Sequence, residues 1–479
     1  MNSQITKLFA VIVLLFGVLI YFTSRWTVFS ATALNANVLN SRPLIAQLRI
    51  KRGEILADDG TVLAKSVKAG HGTWSRTYPE GSLFSQAVGY SEPAAGDAAG
   101  LEVSQAKYLR GSPSSIASLF GTASTSTQVG DNVHTTLDPA AQKTAREALD
   151  GQAGSVVALN PRTGAVLTMY SNPTYDDNHP SPDKECIAIG CLVNRAVSSA
   201  YPPGSTFKVV TATAAINTGK YTPDSIVNGN SPVTVSGVPL ANDGNQSFGD
   251  ITLTQALTQS VNTVWAPVAV NVGTKTMTEY MKRFGFYAKP PLDYPAGEML
   301  PSRVQSPGGQ YYPPGSPDED IGRIGIGQGG LVVTPMQMAM VAAAVANNGK
   351  LMVPHLVSSV IAPDGRTVTT IEPRLYHQVM TAKTAQEVNG MMRTVVDEGT
   401  GTPAQLGGGI EFAGKTGTAS VGPAGLGQTQ PWFIGFAPAN DPKVAVAVDL
   451  ERSTSGQSGG EVAAPIARDV VQTLLSEGK

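Results

Sequence analysis

The chain has 479 residues, 42% of them apolar, so it is long enough for more than one domain and rich enough in apolar side chains to bury large cores. A formal net charge of −2 leaves no basic footprint for nucleic acid, which is excluded as an expected partner, and gives no pull toward anionic surfaces. The five histidines, His71, His134, His179, His355 and His377, show no metal-ligand spacing, and no metal or organic cofactor is expected.

Leu8 to Phe22 is an apolar run preceded by Lys7 and followed by Arg25. It is about fifteen residues, short of the roughly twenty that cross a bilayer comfortably. The favoured reading is an uncleaved anchor, extended by Tyr21, Trp26 and Phe29 as interfacial residues. A signal peptide is the alternative, with Ala31-Thr32-Ala33 resembling a cleavage site; both readings export the rest of the chain. Ser30 to about Arg42 reads as a linker. From about Pro43 to Gly130 follow short strand-like runs and turns, with small-residue passages at Pro93-Ala94-Ala95-Gly96 and Ser112-Pro113-Ser114-Ser115.

From about Asp131 strands and helices alternate. Gly154 to Pro161 and Gly164 to Tyr170 predict a hairpin around Arg162-Thr163. Cys186 and Cys191 are the only cysteines, and export permits either a disulfide or two free thiols. Tyr201-Pro202-Pro203-Gly204 predicts a turn, after which Ser205 opens a helical run closing at Gly219. At a helix N-terminus free N–H groups and the helix dipole favour developing negative charge, and the i,i+3 spacing puts the Lys208 amine on the face of the Ser205 hydroxyl. Lys208 can then act as base, provided desolvation and a second cation, with Lys415 the candidate, lower its pKa. Ser-x-x-Lys also matches at Ser104/Lys107, Ser181/Lys184 and Ser476/Lys479, where ordinary surface residues are expected.

Asp250 to Gln259 reads as a helix N-capped by Asp250, followed by Ser260-Val261-Asn262 on a connection. Its hydroxyl suits a proton relay and its amide a substrate carbonyl, although alone the pair is an ordinary helix-end turn. Gly409 to Ala419 predicts a short strand whose glycines let a bound peptide approach the backbone. Along it Lys415 would attract a carboxylate, Thr416 would hydrogen-bond it, Gly417 would admit the peptide, and the Thr418 and Ser205 N–H groups would form an oxyanion hole. Late in the chain, Lys443 to Leu450 predicts a strand and Ala464 to Leu475 a terminal helix, so terminal elements can join one antiparallel sheet. The expected fold is mixed α/β, an antiparallel sheet flanked by helices.

Ser205-Thr206-Phe207-Lys208, Ser260-Val261-Asn262 and Lys415-Thr416-Gly417-Thr418, in that order, resemble the three motifs of the penicillin-recognising serine acyltransferases. The likeness extends to Arg52-Gly53-Glu54-Ile55, Asp59 to Ala64, Thr135 to Asp138, Asn194-Arg195-Ala196, Gly325 to Gly329, Thr334 to Gln337 and Trp432-Phe433, and so covers nearly the whole chain. It is nearest the class B penicillin-binding proteins, in particular the short-pedestal group called penicillin-binding protein A. The resemblance implies residues 1–30 as cytoplasmic stub and anchor, 31–130 as linker and pedestal, and 131–479 as transpeptidase domain outside a single-pass membrane anchor. It implies acylation of Ser205 by the penultimate D-Ala of a peptidoglycan stem peptide, loss of the terminal D-Ala, and transfer to the amine of a neighbouring stem, with β-lactams trapping Ser205. Ser260 and Asn262 would join Ser205, Lys208 and Lys415 as catalytic residues. The pedestal is too short to hold a glycosyltransferase, so glycan polymerisation would come from a partner in division or elongation.

Gly409 to Thr416 also satisfies the Walker A pattern, but the Gly- and Pro-rich flanks at 402–408 and 422–427 do not supply the buried strand and helix a phosphate loop lies between. A β-lactamase or β-lactam sensor on the same fold is the closer rival. The pedestal-like region and the anchor favour the cross-linking enzyme over it, and three intact motifs argue against a non-enzymatic scaffold.

Overall fold

A computed structural model describes residues 2–30, 42–111, 128–180, 183–421, 428–451 and 456–479. The linker 31–41, the serine-rich passage 112–115 and the Gly- and Pro-rich stretch 422–427 lie outside the described residues. The first helix, Asn2–Ser24, runs on through a π-helical turn, Arg25–Phe29, and Ser3–Phe29 forms a span of 27 residues with mean hydropathy 2.5 and nothing buried. It exceeds the apolar run because helical hydrogen bonding carries on through the polar and aromatic flanks, in the π-helical turn by i→i−5 bonds such as Ser30 N–H to Arg25 O at 2.8 Å. At 1.5 Å per residue this length suffices to cross a bilayer.

Two sheets organise the rest. The catalytic body is built on five antiparallel strands in the order 413–420, 429–437, 444–450, 154–159, 166–172. The strand Val444–Leu450 is buried at every position, as is Gly154–Leu159, so both faces of the sheet are covered. The helices Pro139–Leu149, Pro335–Ala346 and Gly459–Ser476 pack against these strands. The predicted hairpin is present as Gly154–Leu159 and Val166–Asn172. The terminal strand and helix do join the same sheet and its cover.

The second sheet runs 367–370, 357–361, 132–135, 55–56, 62–70, 73–77. It draws strands from both sides of residue 131, because Asn132–Thr135 pairs parallel with Ile55–Leu56 and antiparallel with Val357–Ile361. At its buried end Glu102 takes Arg52 and Arg76 as partners. Burial alone would raise the Glu102 pKa; the two guanidinium groups overcome it and hold the carboxyl below its usual value.

Three local expectations are corrected. Asp250–Thr252 is a strand paired with Ile226–Asn228, and the helix starts only at Leu253, capped by Thr252. The reason is a capping box: Thr252 and Gln255 satisfy each other's backbone N–H groups, which fixes the helix start two residues later than an Asp250 cap would. The terminal helix begins at Gly459, not Ala464, through a second capping box between Ser458 and Glu461. Ser205 lies in a 3₁₀ turn, Gly204–Phe207, and the α-helix proper is Lys208–Asn217. Cys186 and Cys191, left open by the sequence, form a disulfide with Cα atoms 5.2 Å apart.

The turn holding Ser205 is clamped by Ile326–Val333. Tyr201 and Val333 exchange backbone hydrogen bonds of 2.9 and 2.8 Å, and Gly204 N–H donates to Gly327 O at 3.1 Å. Gly327 has φ +79°, and a Cβ there would lie 1.8 Å from Gly204 O, so no side chain fits. Gly327→Ala is therefore expected to cost about 2 kcal/mol or more and to slow penicillin labelling. Denaturant unfolding and labelling rates would check it; a variant equal to the parent in both would show that the clamp does not set the turn.

Candidate active site

Ser205 is half-buried on the 3₁₀ turn, where residues at i and i+3 eclipse, so Lys208, the first residue of the following helix, lies under it. Thr206 Oγ1 donates to Pro203 O at 2.8 Å and Trp432 Nε1 to Pro202 O at 3.0 Å, fixing the turn against the sheet. The Lys208 amine, wholly buried, donates to Ser260 O at 2.6 Å and Asn262 Oδ1 at 2.7 Å, and lies 3.2 Å from Ser260 Oγ. Ser260 has φ +57° in the kink between the helices Leu253–Thr258 and Asn262–Val272, and that left-handed residue is what turns both its carbonyl and its hydroxyl toward the amine.

Lys415 reaches the same hydroxyl from the other side. Its amine is 2.9 Å from Ser260 Oγ and 3.0 Å from Thr416 O, and it too is wholly buried. Burial lowers the pKa of Lys208 well below the usual lysine value, and the Lys415 charge lowers it further. Burial brings Lys415 down to about 7. Lys208 carries both effects, burial and the neighbouring charge, where burial alone lowers Lys415. The unfolded chain binds the Lys415 proton up to the ordinary lysine range, so between about 7 and that range this group makes stability rise with pH, and below 7 its burial cost is fully present.

Thr416, Gly417, Thr418 and Ser420 line a cleft of about 560 Å³ together with Ser205, Ser260, Asn262 and Thr400. Thr416 Oγ1 shares a 2.6 Å hydrogen bond with Thr400 Oγ1, and Thr418 Oγ1 accepts from Gly459 N–H at 3.1 Å. The structure thus brings together every residue the three motifs nominate, with the Thr418 backbone in contact with Gly204. Asn262 Oδ1 is spent on Lys208, leaving only its Nδ2, which reaches Ala241 O at 3.4 Å, free to serve a substrate carbonyl.

The glycines of the third motif are also required by the protein's own packing, while Gly417 lines the cleft. A Cβ at Gly417 would lie 2.7 Å from Pro203 O and 2.8 Å from Thr206 Cγ2, and one at Gly414 would strike the Phe433 ring at 2.3 Å. They admit the protein's own turn and core. Thr400 and the first turn of the last helix were missed, and Gly327 was noted only within the Gly325 to Gly329 likeness, because nothing in their local sequence marks proximity to Ser205. Among the described residues no three His, Cys, Asp or Glu side chains gather to hold a metal.

The penicillin-binding protein transpeptidase domain matches residues 154–472, and the penicillin-binding protein A dimerisation domain matches residues 52–133. The chain belongs to the penicillin-binding transpeptidase family. The peptidoglycan D,D-transpeptidase PbpA of Mycolicibacterium smegmatis is 33% identical over the full length of both chains. Penicillin-binding protein A from M. tuberculosis, solved as a ceftriaxone acyl-enzyme complex, superposes with a TM-score of 0.78 at 29% identity, over 90% of this chain and 100% of that one. The D,D-transpeptidase domain of a peptidoglycan glycosyltransferase from Eggerthella lenta gives 0.77 at 33% identity, over 90% and 99%.

Removing the Lys415 charge takes away one of the two forces that hold Lys208 low. Lys415→Met is expected to move the acid limb of acylation by a fluorescent penicillin to higher pH, and to raise the acylation barrier by about 2–4 kcal/mol. A limb that stays in place would remove Lys415 from the electrostatics of Lys208.

Proposed function

We propose that Ser205 is the acylated nucleophile and Lys208 its base in a peptidoglycan D,D-transpeptidase of the penicillin-binding family. The observation that carries the assignment is the pair of buried amines sharing one serine hydroxyl directly beneath the Ser205 turn. With Lys415 protonated and Lys208 neutral, Ser260 Oγ accepts from Lys415 and donates its own proton to Lys208, so one hydroxyl links the two amines and relays protons between them. Neutral Lys208 takes the Ser205 proton as Oγ attacks the penultimate D-Ala carbonyl. The proton then passes to the departing D-Ala amine.

The Ser205 and Thr418 N–H groups receive the oxyanion, and Thr416 and Thr418 on the cleft wall hold the substrate carboxylate, with the Lys415 charge acting on it from below. The amine of a neighbouring stem takes the acyl group, and β-lactams stop the cycle at the Ser205 ester. Residues 1–30 anchor the chain, 31–130 form linker and pedestal, and 131–479 carry catalysis on the extracytoplasmic side. A partner supplies glycan polymerisation during division or elongation.

A cross-linking enzyme keeps its ester until an amine arrives, whereas a lactamase activates water to destroy it. Intact mass spectrometry after excess penicillin is removed should show an adduct that outlasts many substrate turnovers and is absent from Ser205→Ala. An adduct on Ser205→Ala would sink the nucleophile assignment, and rapid return to the free mass with repeated penicillin turnover would make the chain a lactamase. For the anchor, the mature protein from membranes should keep its original N-terminus and need detergent for extraction; a new terminus near Leu34 would establish cleavage instead.

A further inference from the structure

Apart from its floor of buried lysines, the cleft is nearly uncharged. Ser, Thr, Asn, Gln and Gly make up most of the wall, and among the described residues lining it Asp243 is the single ionisable side chain. Asp243 is exposed, and its carboxylate accepts only the N–H of Gly244, at 3.1 Å, with no ion pair among the described residues. The loop that carries it is held to the catalytic segment. Asn242 Oδ1 accepts from Thr263 N–H at 2.9 Å, Asn242 Nδ2 donates to Gln246 O at 2.9 Å, and Asn262 Nδ2 reaches Ala241 O at 3.4 Å. Among the described residues, a carboxylate without an ion pair therefore stands on the wall of a cleft also lined by Ser260, the hydroxyl that both buried amines reach.

We propose, on the transpeptidase reading of this cleft, that Asp243 is the residue that receives the protonated amine of the acceptor stem peptide before it attacks the Ser205 ester. The reaction needs a second substrate that arrives as an ammonium ion at neutral pH, and any proton left on the lysine pair repels it. Asp243 offers the compensating charge on the wall. Once the ammonium is seated, neutral Lys208 takes one proton from it, the amine nitrogen bonds to the ester carbonyl, and the bond from that carbon to Ser205 Oγ breaks. Of the two protons the ammonium loses in all, one ends on Ser205 Oγ and the other leaves to solvent. A penicillin without an amine brings no cation to this position, so the residue is a specificity-determining group for transfer and not for acylation by such a drug.

The full-length chain in detergent, given a stem-peptide mimic ending in D-Ala-D-Ala and a D-amino acid as acceptor, separates transfer from hydrolysis. Asp243→Asn is expected to raise the acceptor KM roughly two- to fivefold, the size of one solvent-screened charge pair, while the rate at saturating acceptor and the rate of penicillin acylation stay put. Asp243→Glu should recover most of the loss, and added salt should narrow the gap between parent and Asn variant. An unchanged acceptor KM in the Asn variant, or a rise in donor KM alone, overturns the proposal while leaving the transpeptidase reading standing. Failure of the parent chain itself to acylate or to transfer to any amine would overturn both.

Discussion

Two lysine amines with no exposure, 2.9 and 3.2 Å from one serine hydroxyl, are the constraint on which the rest of the catalytic body depends. Burying an ammonium ion is costly, and burying two within reach of the same oxygen costs more, so the protein keeps at least one neutral. In the proposed mechanism that neutral amine is the base. The carbonyl of Ser260 and the amide oxygen of Asn262 orient Lys208, and the Thr416 carbonyl orients Lys415, so the amines are desolvated without being left unpaired. The site is made reactive by an arrangement that a fold selected only for stability would avoid.

Holding that arrangement requires three segments far apart in the chain to meet at backbone distance. The Ser205 turn, the strand Ala413–Ser420 and the start of the helix Gly459–Ser476 do so through glycine. A Cβ at Gly459 would lie 2.1 Å from Trp432 O and 2.3 Å from Gly417 O, and one at Gly204 would press on the Thr418 backbone at 3.0 Å. The five-stranded sheet makes this possible because its middle strands, Val444–Leu450 and Gly154–Leu159, are buried throughout and give the edge strand a rigid backing. The disulfide between Cys186 and Cys191 closes the loop ahead of Ser205, where the Arg195 guanidinium grips Ile189 O and Gly190 O.

The pedestal shows the same economy with charge. Glu102, buried completely, is held ionised by Arg52 and Arg76, which come from two other parts of that region. Its sheet is completed by Val357–Ile361 and Thr367–Thr370, so the chain returns to the pedestal long after leaving it.

Family and fold class were legible in the sequence, and the eight residues it nominates from Ser205 to Thr418 come together in the structure, because short motifs carry chemistry in their residue types and spacing, and periodicity carries strands and helices. Ser205 and Lys208 sit three apart whatever the rest of the chain does, and the short apolar runs around Val156 and Val446 predict strands without knowing their neighbours. Helix starts at Leu253 and Gly459 were misplaced because a capping box competes locally with other caps and only the backbone geometry decides between them. The meaning of Gly414 and Gly417 was hidden for a different reason. A glycine marks that something comes close, and whether it is a substrate or the protein's own Pro203 and Phe433 depends on long-range packing. The placing of Thr400 beside Thr416, of Gly327 against Gly204 and of both lysine amines on Ser260 was decided by tertiary structure, since hydrogen bonds and close approaches between separate elements leave no trace in local composition.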